Sequence, residues 1–340
     1  MNYILYLAFN DLNVISEAIY SIHSYFYIAR NNIDQNARII VYSDKIEHFK
    51  EAFPDNEHII FENISQEMIN DWLGEKKFIY RLKIKVLIDF IKKYNSNVIL
   101  VDADTFFIES VKSYFEKLEK NDVAIMYYNE NKLEQKINYV KNFEFKFEEN
   151  NTFYEYLEDS NILSDGNNQY QIPHSTQLWN SGVVGINPSH EPLLDKILNL
   201  SDIIYKKFED RLSEQFAYSY ILQNNLKINS CDGSIFHYWY LKDFRYILAI
   251  FFNYFNMNDK QESLLFLKRL NLEGIKNKLE YKDLPIMVPC LFQKQFGDYG
   301  IRRIRLDIPE ESYYDKIFFD DNEYSRILTY LSLKYKIDLT

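Results

Sequence analysis

At 340 residues the chain is long enough to bury about three quarters of its unfolded surface, as one large domain or as a core with an appendage. A composition of 47% hydrophobic and 26% charged residues excludes a disordered chain, and 39 Lys and Arg against 50 Asp and Glu leave a net charge of -11, which excludes nucleic acid as an expected partner. Eight glycines, none set in GxGxxG or GxxxxGKS/T, exclude the Rossmann fingerprint and the P-loop, so any nucleotide is held another way.

Taken in chain order, Met1 to Asp11 has no basic start and too short an apolar run for a signal sequence. Within it, Tyr3 to Phe9 reads as a strand. Ile15, Ala18, Ile19 and Ile22 follow at helical spacing. Arg38 to Ser43 and His58 to Phe61 are two more strands, and Ile84, Leu87, Ile88 and Ile91 mark one face of a helix. Val98 to Val101 is an uninterrupted apolar run, as a central strand covered on both faces requires. This alternation predicts an α/β fold with a mainly parallel sheet.

From Tyr127 to Pro173 the periodicity dissolves into polar residues and Tyr, with a turn at Ser164 to Gly166, and the spacing predicts a long functional loop. Leu178 to Ile186 returns as a strand, followed by helices around Leu193 to Leu198 and Phe216 to Leu222. The expected boundaries are a domain over 1–245, with a polar insertion at 129–172 that would serve as an acceptor lid, and a mostly helical appendage over 246–340. Tyr246 to Phe255 falls short of the ~20 apolar residues of a membrane span. Two cysteines, Cys231 and Cys290, build neither a disulfide framework nor a four-cysteine zinc site. The expected compartment is the reducing cytoplasm, with peripheral association at a membrane face left open.

Chemistry concentrates in four short stretches. Asp102-Ala103-Asp104 follows the central strand directly; alternation lets both carboxylates face one side where the strand leaves the sheet, and ligands of open α/β sheets bind outside such ends. Paired carboxylates there suit Mg²⁺ or Mn²⁺, or are solvated turn residues. Trp179-Asn180-Ser181-Gly182-Val183 opens a strand with polar groups and a Gly, for close backbone approach to a ligand or for a bulge. Ser213-Glu214-Gln215 begins a helix, as site residues or as caps. His237 lies among aromatics, as a third metal ligand or a satisfied core residue.

In this order the four stretches resemble the GT-A glycosyltransferases, especially the retaining family 8 enzymes such as glycogenin. Val98 to Thr105 matches the family's Asp-x-Asp strand, and Asn180-Ser181-Gly182-Val183 with Pro188-Ser189 its Asn-Ser-Gly-Val segment. Glu214-Gln215 stands at its Asp-Gln and His237 at its late histidine. The resemblance covers roughly residues 3–245. It implies Mn²⁺-dependent transfer, with retention of configuration, from a nucleotide-diphosphate sugar of the UDP type to a glycan, lipid-linked or protein acceptor. Asp102, Asp104 and His237 would hold the metal. Gln215 and Asn180 would lie near the anomeric carbon, with Glu214 on sugar hydroxyls. Asn10, Asp44, Arg81, Lys85, Ala103 and Lys242 would contact the donor.

Three departures stand out. No Gly separates His237 from Lys242, Glu214 replaces the usual Asp, and 76 residues part Asp104 from Asn180. Two other classes stay open on the residues alone. An apolar strand ending in Asp-x-Asp-Thr also resembles the first motif of haloacid-dehalogenase-like phosphatases, with Asp102 as nucleophile and Asp320-Asp321 as the late metal motif. Twenty-nine tyrosines and 17% aromatics also suit a non-catalytic glycan- or partner-binding protein.

Overall fold

Short apolar runs separated by amphipathic helices leave the chain one economical way to bury both, a sheet covered on two faces. The computed structural model describes residues 1–29, 37–107, 109–128, 132–142, 152–166, 168–237 and 239. The expected appendage over 246–340, Asp320-Asp321 and Lys242 lie outside the described residues.

The first half alternates as β1 (Asn2–Leu7), α1 (Leu12–Ala29), β2 (Ala37–Ser43), α2 (Ile46–Ala52), β3 (Ile59–Asn63), α3 (Gln66–Leu73), α4 (Arg81–Tyr94) and β4 (Asn97–Val101). Then follow β5 (Thr105–Phe107), α5 (Lys112–Leu118), β6 (Val123–Tyr127), α6 (Leu133–Asn142), α7 (Thr152–Asp159), β7 (Ile162–Ser164) and β8 (Gln169–Gln171). The last described part holds β9 (Asn180–Ile186), α8 (Glu191–Phe208), α9 (Ser213–Asn225), β10 (Lys227–Ser230) and β11 (Ile235–His237).

Seven strands form the main sheet in the order β10-β6-β9-β4-β1-β2-β3, with β4 at its centre. Val98 to Val101 on β4 are buried, as a strand covered on both faces must be. Four of the six pairings are parallel; β9 runs antiparallel between β4 and β6. The sheet is therefore mixed and mainly parallel, as expected. One apolar layer joins it to α3, α4, α8 and α9, and a second joins it to α1, α2 and α5. Strand order reverses between β1, which leads outward to β2 and β3, and β4 on its other side. Such reversals open a crevice at the carboxyl ends of the strands.

The stretch expected as an aperiodic loop is a correction. It contains α6, α7 and the β7–β8 hairpin, whose turn does hold Ser164 to Gly166, with Gly166 at φ 93. Leu133 and Ile137, and Phe153 and Leu157, are i, i+4 apolar pairs that bury one stripe each in a background of polar residues. Phe153 packs its ring against Phe208 at 5.3 Å and Phe216 at 5.0 Å. Phe153→Ala is therefore expected to cost about 3–5 kcal/mol, like any core phenylalanine, with the loss read from urea unfolding. A loop residue would cost almost nothing.

Candidate active site

Because β9 opposes β4 and β6, its first residues arrive where those two strands end. Val101 pairs with Val183, and Asp102 N–H donates to Gly182 O at 2.7 Å. The register with β6 jumps from Met126–Val184 to Tyr127–Asn180, so β9 carries an irregularity over Ser181 to Val183. The bulge and the ligand-site readings of this segment are thus both realised in one piece of backbone, since a bulge re-aims the side chains beside it.

The Asp102 carbonyl accepts from Thr105 Oγ1 at 2.7 Å, and Thr105 continues through Ser21 to Tyr6, fastening the turn after β4 to α1 and β1. β5 then pairs antiparallel with β11, setting His237 opposite Thr105. These pairings converge Asp102, Asp104 and His237, whose ligating atoms all lie within 4.8 Å of one another.

The protonation of His237 follows from its neighbours. Gly182 N–H can only donate, so the Asn180 atom it meets at 2.7 Å is the carbonyl Oδ1. His237 Nδ1 meets the same oxygen at 3.0 Å and must carry a proton. In the neutral ring Nε2 then presents a lone pair 3.3 Å from Asp104 Oδ1 and 3.8 Å from Asp102 Oδ2. Three electron-rich atoms facing one another call for positive charge beyond the Lys83 ammonium that meets Asp102 Oδ2 at 2.7 Å, and a second imidazole proton or a metal ion would supply it. Two carboxylates and one imidazole fixed through its other nitrogen fit a divalent cation. The imidazole fits only because residue 182 lacks a side chain: a Cβ there would meet His237 Cε1 at 2.1 Å.

Lys83 is the cation the sequence reading passed over. Its Nζ lies 2.7 Å from Asp102 Oδ2. Burial lowers the affinity of its amine for a proton, but the charges of Asp102, Glu214 and Asp104 more than reverse this and hold it cationic. Arg81 and Lys85 sit two residues to either side of it on α4, and residues two apart on a helix do not face each other. Arg81 instead bonds Asp202 at 2.9 Å and Trp72 O at 2.7 Å, tying α4 to α8 and to the end of α3. Lys83 lies between buried Leu82 and Ile84, but Lys85 lies likewise between buried Ile84 and Val86, so the sequence alone did not say which cation met the strand ends.

Glu214 is 2% exposed and is not a cap, since its Oε2 accepts from Ser181 Oγ at 2.9 Å. Burial first pushes its carboxyl up to about 7 from an ordinary 4.5; Lys83 pulls it down, Asp102 pushes it up, and the Ser181 bond lowers it. Among the described residues its Oε1 has no hydrogen-bond partner, nor has the buried Tyr218 hydroxyl one turn along α9. Gln215 is half-buried on the first turn of α9. Ala103 is nearly buried and packs into the α1 layer. At the carboxyl end of β1, Asn10 takes the left-handed conformation at φ 63, and its N–H donates to Asp44 Oδ1 at 3.0 Å.

No protein-family model and no curated protein matches the chain. Among solved structures it is similar to mouse xyloside xylosyltransferase 1 in the apo form, at 13% identity and a TM-score of 0.45, over 68% of this chain and 86% of that one. It is also similar to the galactosyltransferase LgtC in complex with donor and acceptor sugar analogs, at 12% and 0.43 over 66% and 72%. A third is the glycosyltransferase GlyE of Streptococcus pneumoniae TIGR4, at 12% and 0.39 over 77% and 53%. Likenesses at these values carry no functional weight, and the site is read from its own residues.

Two outcomes follow from the geometry. Gly182→Ala is expected to displace His237 and to cost about 1–3 kcal/mol in urea unfolding, as overpacking of a filled interior does. Glu214 binds its proton more tightly folded than unfolded, so its contribution to stability is full below about 4.5 and is lost as pH rises through about 7. The wild-type urea midpoint should therefore fall between pH 5 and 8 by more than that of Glu214→Gln; equal slopes would place the titration elsewhere.

Proposed function

We propose that the chain is a metal-dependent glycosyltransferase, using a nucleotide-diphosphate sugar of the UDP type and transferring its sugar, with retention, to a glycan, lipid-linked or protein acceptor. The observation that carries this reading is the Asp102-Asp104-His237 cluster, with an imidazole lone pair aimed at two carboxylates beside the strand-order reversal. This reading gives the cation, the diphosphate and the sugar each a set of complementary groups at that reversal.

Mn²⁺ or Mg²⁺ held by Asp102, Asp104 and His237 would supply positive charge to the departing diphosphate. Lys83 adds a second, permanent charge from α4, the task first expected of Arg81 and Lys85. Asn180 holds the His237 tautomer, so it acts as a positioning residue rather than at the anomeric carbon. Glu214 and Ser181 offer an acceptor and a hydroxyl for sugar hydroxyls, and Gln215, next along α9, is the group proposed to orient the anomeric carbon. Asn10 and Asp44 close the nucleotide end of the crevice, and Ala103 gives the Asp-x-Asp turn a small residue where the donor passes. Lys242 keeps its place as a proposed diphosphate contact. No side chain need form a covalent intermediate, and the cytoplasm is the compartment we expect.

A phosphohydrolase built on Asp102 would leave the buried hydrogen bond between His237 and Asn180 without a task.

The test is nucleotide-sugar turnover by the full chain with and without Mn²⁺. Chelation should abolish hydrolysis and Mn²⁺ restore it, while Asp104→Asn removes both metal binding and turnover at an unchanged fold. Asn180→Ala is expected to weaken Mn²⁺ about 10–100-fold by freeing the imidazole, measured by calorimetric titration. A chelator-resistant transferase would overturn the assignment.

A further inference from the structure

Two aromatic side chains stand at the rim of this crevice with no role in the cluster. Tyr128 follows the last residue of β6 and is 44% exposed; Trp179 precedes the first residue of β9 and is half-buried. Their rings meet edge to face, with centroids 5.7 Å apart and planes at 74°. The chain neighbours of both touch His237: Asn180 bonds its Nδ1, and Tyr127 sets its ring edge-on to the imidazole at 5.6 Å.

The corner is rigid. Trp179 N–H donates to Ser219 Oγ at 2.8 Å, and the same hydroxyl lies 3.1 Å from Trp179 O, so α9 holds the backbone of this residue on both sides. Just beyond Tyr128 the 132–178 excursion closes on itself, through the Lys132–Gln177 bridge and the Leu133 N–H bond to Thr176 O at 2.9 Å. An exposed aromatic pair on a fixed base loses little conformational freedom when a ligand covers it.

Position decides the ligand. Trp179 packs into the layer that contains α9, and Ser181, two residues on, reaches Glu214 of α9. Two residues of chain reach at most about 7 Å, so the aromatic corner lies within about one sugar ring of the proposed donor-sugar contacts. A pyranose presents C–H bonds on one face and hydroxyls at its rim, so the face covers an aromatic ring while the rim turns toward the crevice. Neither ring carries a charge that would call for an anionic headgroup.

We infer that Tyr128 and Trp179 form the acceptor subsite and that its occupant is a pyranose, which makes the acceptor a glycan. This deepens the glycosyltransferase reading and rests on it for the word acceptor, whereas sugar binding at the corner stands on the two rings alone.

The test separates the two. The full chain, without nucleotide or Mn²⁺, is titrated with methyl pyranosides of the common hexoses and pentoses, and with lactose, maltose and cellobiose, while tryptophan fluorescence is followed. The chain has three tryptophans, of which Trp72 is buried. The expected result is saturable quenching by at least one sugar, kept in Trp239→Phe, lost in Trp179→Phe, and weakened about tenfold or more in Tyr128→Ala. With a nucleotide sugar and Mn²⁺, Tyr128→Ala should raise the KM for that sugar as acceptor by a similar factor and leave the KM for the donor within about twofold. Absence of saturable binding across the panel, or binding indifferent to both rim substitutions, overturns the inference even if nucleotide sugars are hydrolysed. Binding at the corner with no turnover of any nucleotide sugar leaves the inference standing as a glycan site and overturns the transferase.

Discussion

Gly182 is the residue through which the candidate site holds together. Its carbonyl accepts the Asp102 N–H, its own N–H fixes which way the Asn180 amide points, and its missing Cβ leaves the space that the His237 imidazole fills. Each of these demands a different property of one backbone position: a carbonyl facing β4, an N–H folded back on residue 180, and no side chain. An antiparallel strand inserted between two parallel ones supplies the first. The irregular register of β9 supplies the second by taking residues 181–183 out of simple alternation. Only glycine supplies the third.

Around that knot the electrostatics are unbalanced in a consistent direction. Asp102, Asp104 and Glu214 gather at the end of a central strand, with Lys83 the cation paired to them among the described residues. Glu214 relieves part of the strain by holding its proton up to about neutral pH. The Lys83–Asp102 pair is half-buried, and it adds little stability in itself because desolvation offsets much of the attraction. The fold therefore keeps this pair at no great gain. Such a group at a strand end, with two buried oxygens on the neighbouring face of α9 that have no partner among the described residues, marks a region shaped for a ligand more than for stability.

Much of this was legible in the sequence. Runs such as Val98 to Val101 announce a central strand because burial on both faces tolerates no polar residue, and the α/β alternation followed from five strand segments, with β6 and β10 of the sheet unread. Asp102, Asp104, Asn180, Glu214 and His237 could be singled out because polar residues at strand ends and helix starts break the surrounding pattern. What failed depended on direction. Helical spacing showed that Arg81 and Lys85 share a face but not that Lys83, on another face, is the one turned to β4. The 129–172 region looked unstructured because α6 and α7 bury only narrow stripes, Leu133 with Ile137 and Phe153 with Leu157, inside Asn- and Glu-rich text. A segment that depends on tertiary partners such as Phe208 and Phe216 gives little local signal.

The same charge count bears on the order in which ligands enter. With Glu214 protonated, the two aspartates outweigh Lys83 by one negative charge, and the chain as a whole carries -11. A nucleotide diphosphate approaching that surface meets repulsion, which low local dielectric strengthens inside the crevice. A divalent cation at the cluster reverses the local sign to net positive while leaving the outer surface acidic. On the proposed reading the metal must then precede the donor, because it creates the potential that admits a diphosphate. Neutral pyranoses feel none of this, and a corner built from Tyr128 and Trp179, outside the charged cluster, is indifferent to whether the metal has arrived. On that reading charge governs the diphosphate half of the crevice, and apolar contact the sugar half.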